Sequence, residues 1–170
     1  MLQACIGAEA RRSQVGRERL CVFNLTRQSF LSLGVSVADT PWTRLRGLLG
    51  WRLRNDEGLW VVPSQGIHTV GLLCTIDVVY LDADLRVIHT IEHCRPFHVG
   101  PLRRRSSSVL ELPARSVFCS DTRIGDQLLV CSPGELAAYW SAQEAQRRTD
   151  GVASYVESPR KGRCQPEPRT

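Results

Sequence analysis

The stretch Ile67-His68-Thr69-Val70-Gly71-Leu72-Leu73-Cys74-Thr75-Ile76-Asp77-Val78-Val79-Tyr80-Leu81-Asp82 decides how this chain is read. Its second half is apolar, β-branched and aromatic, which predicts a strand, and one carboxylate, Asp77, is set inside it. An ionised acid withdrawn from water needs a charged or hydrogen-bonding partner. His68, Thr69 and Arg46 are the first candidates, so Asp77 is either a structural lock or the wall of a site. The range 70–81 reads as two strands separated by a bend near Cys74 and Thr75. Asp82-Ala83-Asp84 is turn chemistry leading into a further strand over 86–92.

Outward from this stretch, 22–37 reads as strand, turn and strand, with the bend near Asn24-Leu25-Thr26-Arg27-Gln28. Thr40 before Pro41, followed by Trp42, Leu45, Leu48 and Leu49 at helical spacing, predicts one short early helix over 41–49 on a β core. Strands over 58–63 and 109–112 are stopped by Pro63 and Pro113. Between them 94–108, with Pro96, Gly100 and Pro101, is a loop. A helical turn over 114–119 and a last strand over 127–131 complete the β unit. Leu136, Ala137, Tyr139, Trp140 and Ala145 predict a C-terminal helix over 133–148, outside that unit. The expected fold class is mainly β, a compact β-sandwich or barrel-like domain over 21–132. It is flanked by a flexible N-terminal extension, 1–20, and a disordered tail, 149–170, rich in proline and dispersed charge.

With 170 residues, 42% hydrophobic and 23% charged, the chain holds one core with tails. The net charge of +5 is concentrated at the ends, in Arg11, Arg12, Arg17 and Arg19 and in Arg147, Arg148, Arg160, Lys161, Arg163 and Arg169. With aromatics at 6% there is no stacking platform, which argues against nucleic acid as a partner. Residues 1–20 build no apolar signal stretch, and nothing reaches ~18 uninterrupted apolar residues. The expectation is a cytoplasmic protein with no membrane partner. Seven cysteines without a CxxC pair argue against a disulfide framework and a four-thiolate zinc site.

Several segments in order carry a resemblance: Val37-Ala38-Asp39-Thr40-Pro41, Arg46-Gly47-Leu48-Leu49-Gly50, Gly58-Leu59-Trp60 with Pro63, Ile67-His68-Thr69 with Gly71, Ile76-Asp77-Val78-Val79-Tyr80-Leu81-Asp82, Leu110-Glu111-Leu112-Pro113-Ala114 and Gly125-Asp126. Over roughly 22–131 the chain resembles the family called domain of unknown function 192, also known as uncharacterised protein family 0127. The resemblance implies a compact, mostly β domain with one short helix and no established activity. The chain departs from the family pattern at Leu72-Leu73-Cys74-Thr75, where the family often has a cation and a proline. It also departs at Leu85 and Arg115, where glycine is usual.

The candidate site residues are His68, Thr69, Asp77 and Glu111, with Arg46 and Gly47 beside Asp77 as structural candidates. Asp77 reads first as a buried acid satisfied by Arg46, by backbone donors or by Thr69. Its functional reading is a general base or ligand anchor, for which His68 is the acid–base partner if a bend brings both to one side. Alternation sets Glu111 opposite Leu110 and Leu112, facing solvent or a cleft. His89, His93, Cys94 and His98 have zinc-like spacing, but on a strand running into a loop they do not form a ligand set, so no metal and no cofactor is expected. Cys74 and Cys94 lack an activating motif for a nucleophile. Arg103-Arg104-Arg105 reads as a solvated loop or a contact for phosphate or an acidic partner. The preferred function is a non-catalytic binding or accessory module with a polar cleft for a small polar ligand or a protein partner. The alternatives are a hydrolase-like enzyme using His68 with Asp77 or Glu111, and a purely structural partner-binding domain.

Overall fold

Strand β1 (Leu20–Asn24) pairs antiparallel with β2 (Ser29–Ala38) across a tight turn. Asn24 makes that turn, because its Oδ1 accepts the N–H groups of Thr26 and Arg27, each at 2.9 Å. The computed structural model of the chain describes residues 19–40, 43 and 53–149. Strand β3 (Glu57–Val61) lies parallel to β2, which requires a crossover between them. The helix expected over 41–49, with Arg46 and Gly47, falls in that crossover and, Thr43 apart, lies outside the described residues.

Strands β4 (Ile76–Leu81) and β5 (Val87–Cys94) form a hairpin. Its turn is organised by Asp82 Oδ1, which accepts the N–H groups of Asp84 and Arg86. Leu85 sits there at φ 62°, so the non-glycine residue adopts the left-handed backbone the turn demands. Strand β6 (Ser108–Pro113) inserts between β4 and β3, and is followed by the short helix α1 (Ser116–Cys119), by β7 (Leu128–Cys131) and by α2 (Pro133–Thr149). Of the two strands expected over 70–81, only 76–81 is extended. Gly71, at φ 83°, and a turn in which Leu72 N–H donates to Thr69 C=O end any strand before it.

The seven strands run β5-β4-β6-β3-β2-β1-β7 in one curled, barrel-like sheet. Its two edges meet at one end, where Arg86 bridges Gln127 and Val87 N–H donates to Asp126 C=O at 2.9 Å. Inside the curl, Val22, Val35, Val79, Leu81, Leu110, Leu112 and Leu128 pack with Val117 of α1. On the opposite face Leu59, Val61, Ile76, Val78, Tyr80 and Val109 are covered by Ile67 and Leu72. Coverage on both faces explains why β4 and β6 are apolar on both sides apart from Asp77, Glu111 and Ser108, each large apolar side chain adding about 1.5–3 kcal/mol.

Helix α2 is capped by Ser132 and Glu135 acting reciprocally: Glu135 N–H donates to Ser132 Oγ at 3.2 Å, and Ser132 N–H donates to Glu135 Oε2 at 2.7 Å. Expected outside the β unit, it instead packs on it. Leu136 is buried with Cys21, Phe23 and Cys131, and Trp140 meets Phe23 and Phe30 edge-on at 5.7 and 6.0 Å. The spacing of Leu136 and Trp140 puts both on one helix face, which the sheet edge covers. No helix among the described residues is long and apolar enough to cross a membrane. Cys119 is disulfide-bonded, while Cys21, Cys74, Cys94 and Cys131 are free thiols.

The closed end of the curl is held by a buried polar cluster. Asn24 Nδ2 donates to Thr122 Oγ1 and Asp126 Oδ2 at 3.1 and 2.9 Å, and Arg27 Nε and Arg123 N–H also donate to Asp126. Burial pushes the Asp126 carboxyl up, but the bonds from Asn24, Arg27 and Arg123 outweigh it and hold it below the usual range. The stability it contributes is present above the ordinary aspartate range and is lost as pH falls through the lowered value. Asp126→Ala is expected to cost about 2 kcal/mol in urea melts, because Asn24 stays buried while the Arg27 side chain, already 31% exposed, rehydrates. Equal stability in variant and parent would show the cluster to be inert.

Candidate functional site

In β4 paired with β6, Asp77 stands opposite Leu112 and Val78 opposite Glu111. Paired residues share a face and neighbours alternate, so the two candidate acids project to opposite sides of the sheet. Asp77 faces the interior of the curl and is fully buried. Its Oδ1 accepts the N–H of His93 and its Oδ2 the N–H of Val117, both at 3.0 Å. His93, at φ 54°, lies in a bulge where the β4–β5 register shifts. Val117 lies in the first turn of helix α1, whose N-cap Arg115 sits at φ 75° and makes no side-chain cap. Asp77 therefore ties three elements together by accepting two donors that neither the ladder nor a local cap would satisfy. Of the partners expected from the sequence, backbone donors hold it; His68 and Thr69 do not.

Glu111 projects to the outer face between Val78 and Leu59, its cross-strand neighbours. The expectation that it faces solvent or a cleft is corrected: alternation gave the right side, but Ile67 and Leu72 cover that side, leaving Glu111 at 6% exposure. Burial pushes its carboxyl up from 4.5 to about 7, and no hydrogen bond or cation offsets this among the described residues. Tyr80, on the same face, is likewise pushed up to about 12 by burial. Its hydroxyl donates to Pro101 C=O at 3.0 Å.

Thr69 is fully buried and works as a clasp between two loops. Its hydroxyl donates to Arg95 C=O at 2.7 Å and accepts His98 N–H at 2.8 Å, while its own N–H donates to His98 C=O and its C=O accepts Phe97 N–H. His68, one residue away, is exposed and bridges Val99 through the backbone. Gly100 lets the two loops close, since a Cβ there would stand 2.7 Å from Ile67 and 2.8 Å from the Tyr80 hydroxyl. The structure thus brings His68 and Thr69 together, sets Glu111 on the side those loops cover, and separates Asp77 from all three. Burial also pushes the Cys94 thiol up, partly offset by the Thr69 hydroxyl, which makes it a poor nucleophile at neutral pH. His89 meets Arg103 at 3.2 Å, and among the described residues no group of three metal-ligating side chains converges.

The joined loops carry a feature the sequence reading missed. Val70, Leu73, Phe97, Val99 and Leu102 are 51–74% exposed and lie on segments locked to each other by the Thr69 and Gly100 contacts. Phe97 holds φ 58°, a strained value for a bulky residue. Large apolar residues between prolines, glycines and arginines were the available signal.

The family profile described as Uncharacterized ACR, domain of unknown function 192, matches residues 23–130. A protein of Thermococcus sibiricus named UPF0127 protein is 26% identical over 112 residues, spanning 63% of this chain and 72% of that one. A crystal structure of a protein of unknown function from Novosphingobium aromaticivorans superposes with a TM-score of 0.55 at 18% identity, covering 65% of this chain and 83% of the other. A putative transcription regulator from Sinorhizobium meliloti gives a TM-score of 0.55 at 19% identity, covering 68% of this chain and 95% of the other. At such identities the two structures share the fold with this chain.

Proposed function

This chain belongs to the family of domain of unknown function 192, and on that premise we propose that it is a non-catalytic binding module. Its contact surface is the platform made by the loops around 67–73 and 97–102. One observation carries this reading: five large apolar side chains stand more than half exposed on backbone that Thr69 holds in place. Contiguous exposed apolar surface marks interaction sites, and a pre-ordered platform loses little freedom on binding. In this reading His68 belongs to the platform rim, Thr69 to its frame, Glu111 to its floor and Asp77 to the fold. A hydrolase would need His68 against Asp77 or Glu111. With both Asp77 oxygens taken by backbone, and Glu111 buried while His68 is exposed, we assign no reaction.

The test places a photoreactive amino acid at Phe97 and, as control, at Phe118, which is 69% exposed but on α1. Irradiation in cells should give defined adducts from position 97 and none from 118. Absence of adducts at 97, or the same adducts from both positions, overturns the reading.

A further inference from the structure

Resting on that reading and naming the partner, we propose, in place of the expectation of no membrane partner, that the platform docks on an anionic lipid bilayer. The loops that carry the apolar tips also carry cations: Arg95, Arg103, Arg104 and Arg105 are exposed. The ranges 62–74 and 93–105, which build the platform, contain no Asp or Glu; Glu92, on β5, is the nearest carboxylate in sequence. A surface that is both apolar and cationic matches an interface offering an acyl boundary beside lipid phosphates. Guanidinium groups bind phosphate through paired hydrogen bonds.

Val70, Leu73, Phe97, Val99 and Leu102 are each more than half exposed, and a bilayer conforms to such side chains where a rigid protein partner would need a matching surface for each. The Thr69, Phe97, Gly100 and Arg103 N–H groups donate to carbonyls within the paired loops, which holds the apolar side chains on ordered backbone.

The test is co-sedimentation of the full chain with phosphatidylcholine vesicles, with and without phosphatidylglycerol. Binding is expected only to the anionic vesicles, falling steeply with added salt. Arg104→Ala with Arg105→Ala should weaken it roughly twentyfold. Phe97→Ser with Leu102→Ser, which keeps every charge, should weaken it about a hundredfold. Unchanged melting temperatures would show that these exposed substitutions leave the fold intact. No binding to anionic vesicles overturns the proposal. So does binding that survives Phe97→Ser with Leu102→Ser, because the attraction then comes from net charge alone. Defined protein adducts at position 97, in place of lipid adducts, would keep the binding module and overturn the bilayer as its partner.

Discussion

Asp77→Ala is expected to remove about 3–5 kcal/mol, most of the stability of a domain this size, in urea melts at neutral pH. The methyl group leaves the N–H groups of His93 and Val117 without their acceptor, the second of them in a fully buried place. It also leaves a cavity beside Leu112 and Val117, which adds to the loss. Asp77→Asn separates the causes. The amide retains one acceptor but turns a donor toward a second N–H, so about half the loss is expected to remain. Near-neutral stability of Asp77→Ala would refute the lock and return Asp77 to the candidate site.

Glu111→Leu is expected to work in the opposite direction. The folded chain holds the Glu111 proton up to about pH 7, whereas the unfolded chain releases it near 4.5. Between those values the native state binds more protons, so stability falls as pH rises through this window and levels off above it. The difference amounts to about 3 kcal/mol. Leucine has no charge to desolvate and packs with Val78 and Leu59. The variant should therefore exceed the parent by about 3 kcal/mol near pH 8 and lose that advantage near pH 4. A gain independent of pH would mean that packing, not ionisation, sets the cost. A loss at every pH would mean that the carboxylate has a stabilising partner.

The strands at 20–24, 29–38, 57–61, 87–94, 108–113 and 128–131 were legible in the sequence to within a few residues, because apolar alternation and Gly or Pro punctuation act over neighbours. The family was legible too, since its motifs recur in order, and Leu85 and Arg115, where glycine is usual, do occupy left-handed backbone. The site was legible only in part. His68 and Thr69 were recognised as residues of interest, but the clasp that Thr69 makes with Arg95 and His98 joins positions 26 and 29 residues apart.

By itself, then, the sequence determined the mainly β content, the turns and the demand that Asp77 find a partner. Only the tertiary structure decided who that partner is, because His93 and Val117 lie 16 and 40 residues away and donate through backbone groups that every residue carries. It also decided that Glu111 is covered and that Phe97 and Leu102 are exposed. Alternation assigns a side chain to one face of a strand, but whether that face meets water depends on which distant loop folds over it. That coverage comes from the sum of many weak contacts across the sheet, none of which leaves a local trace.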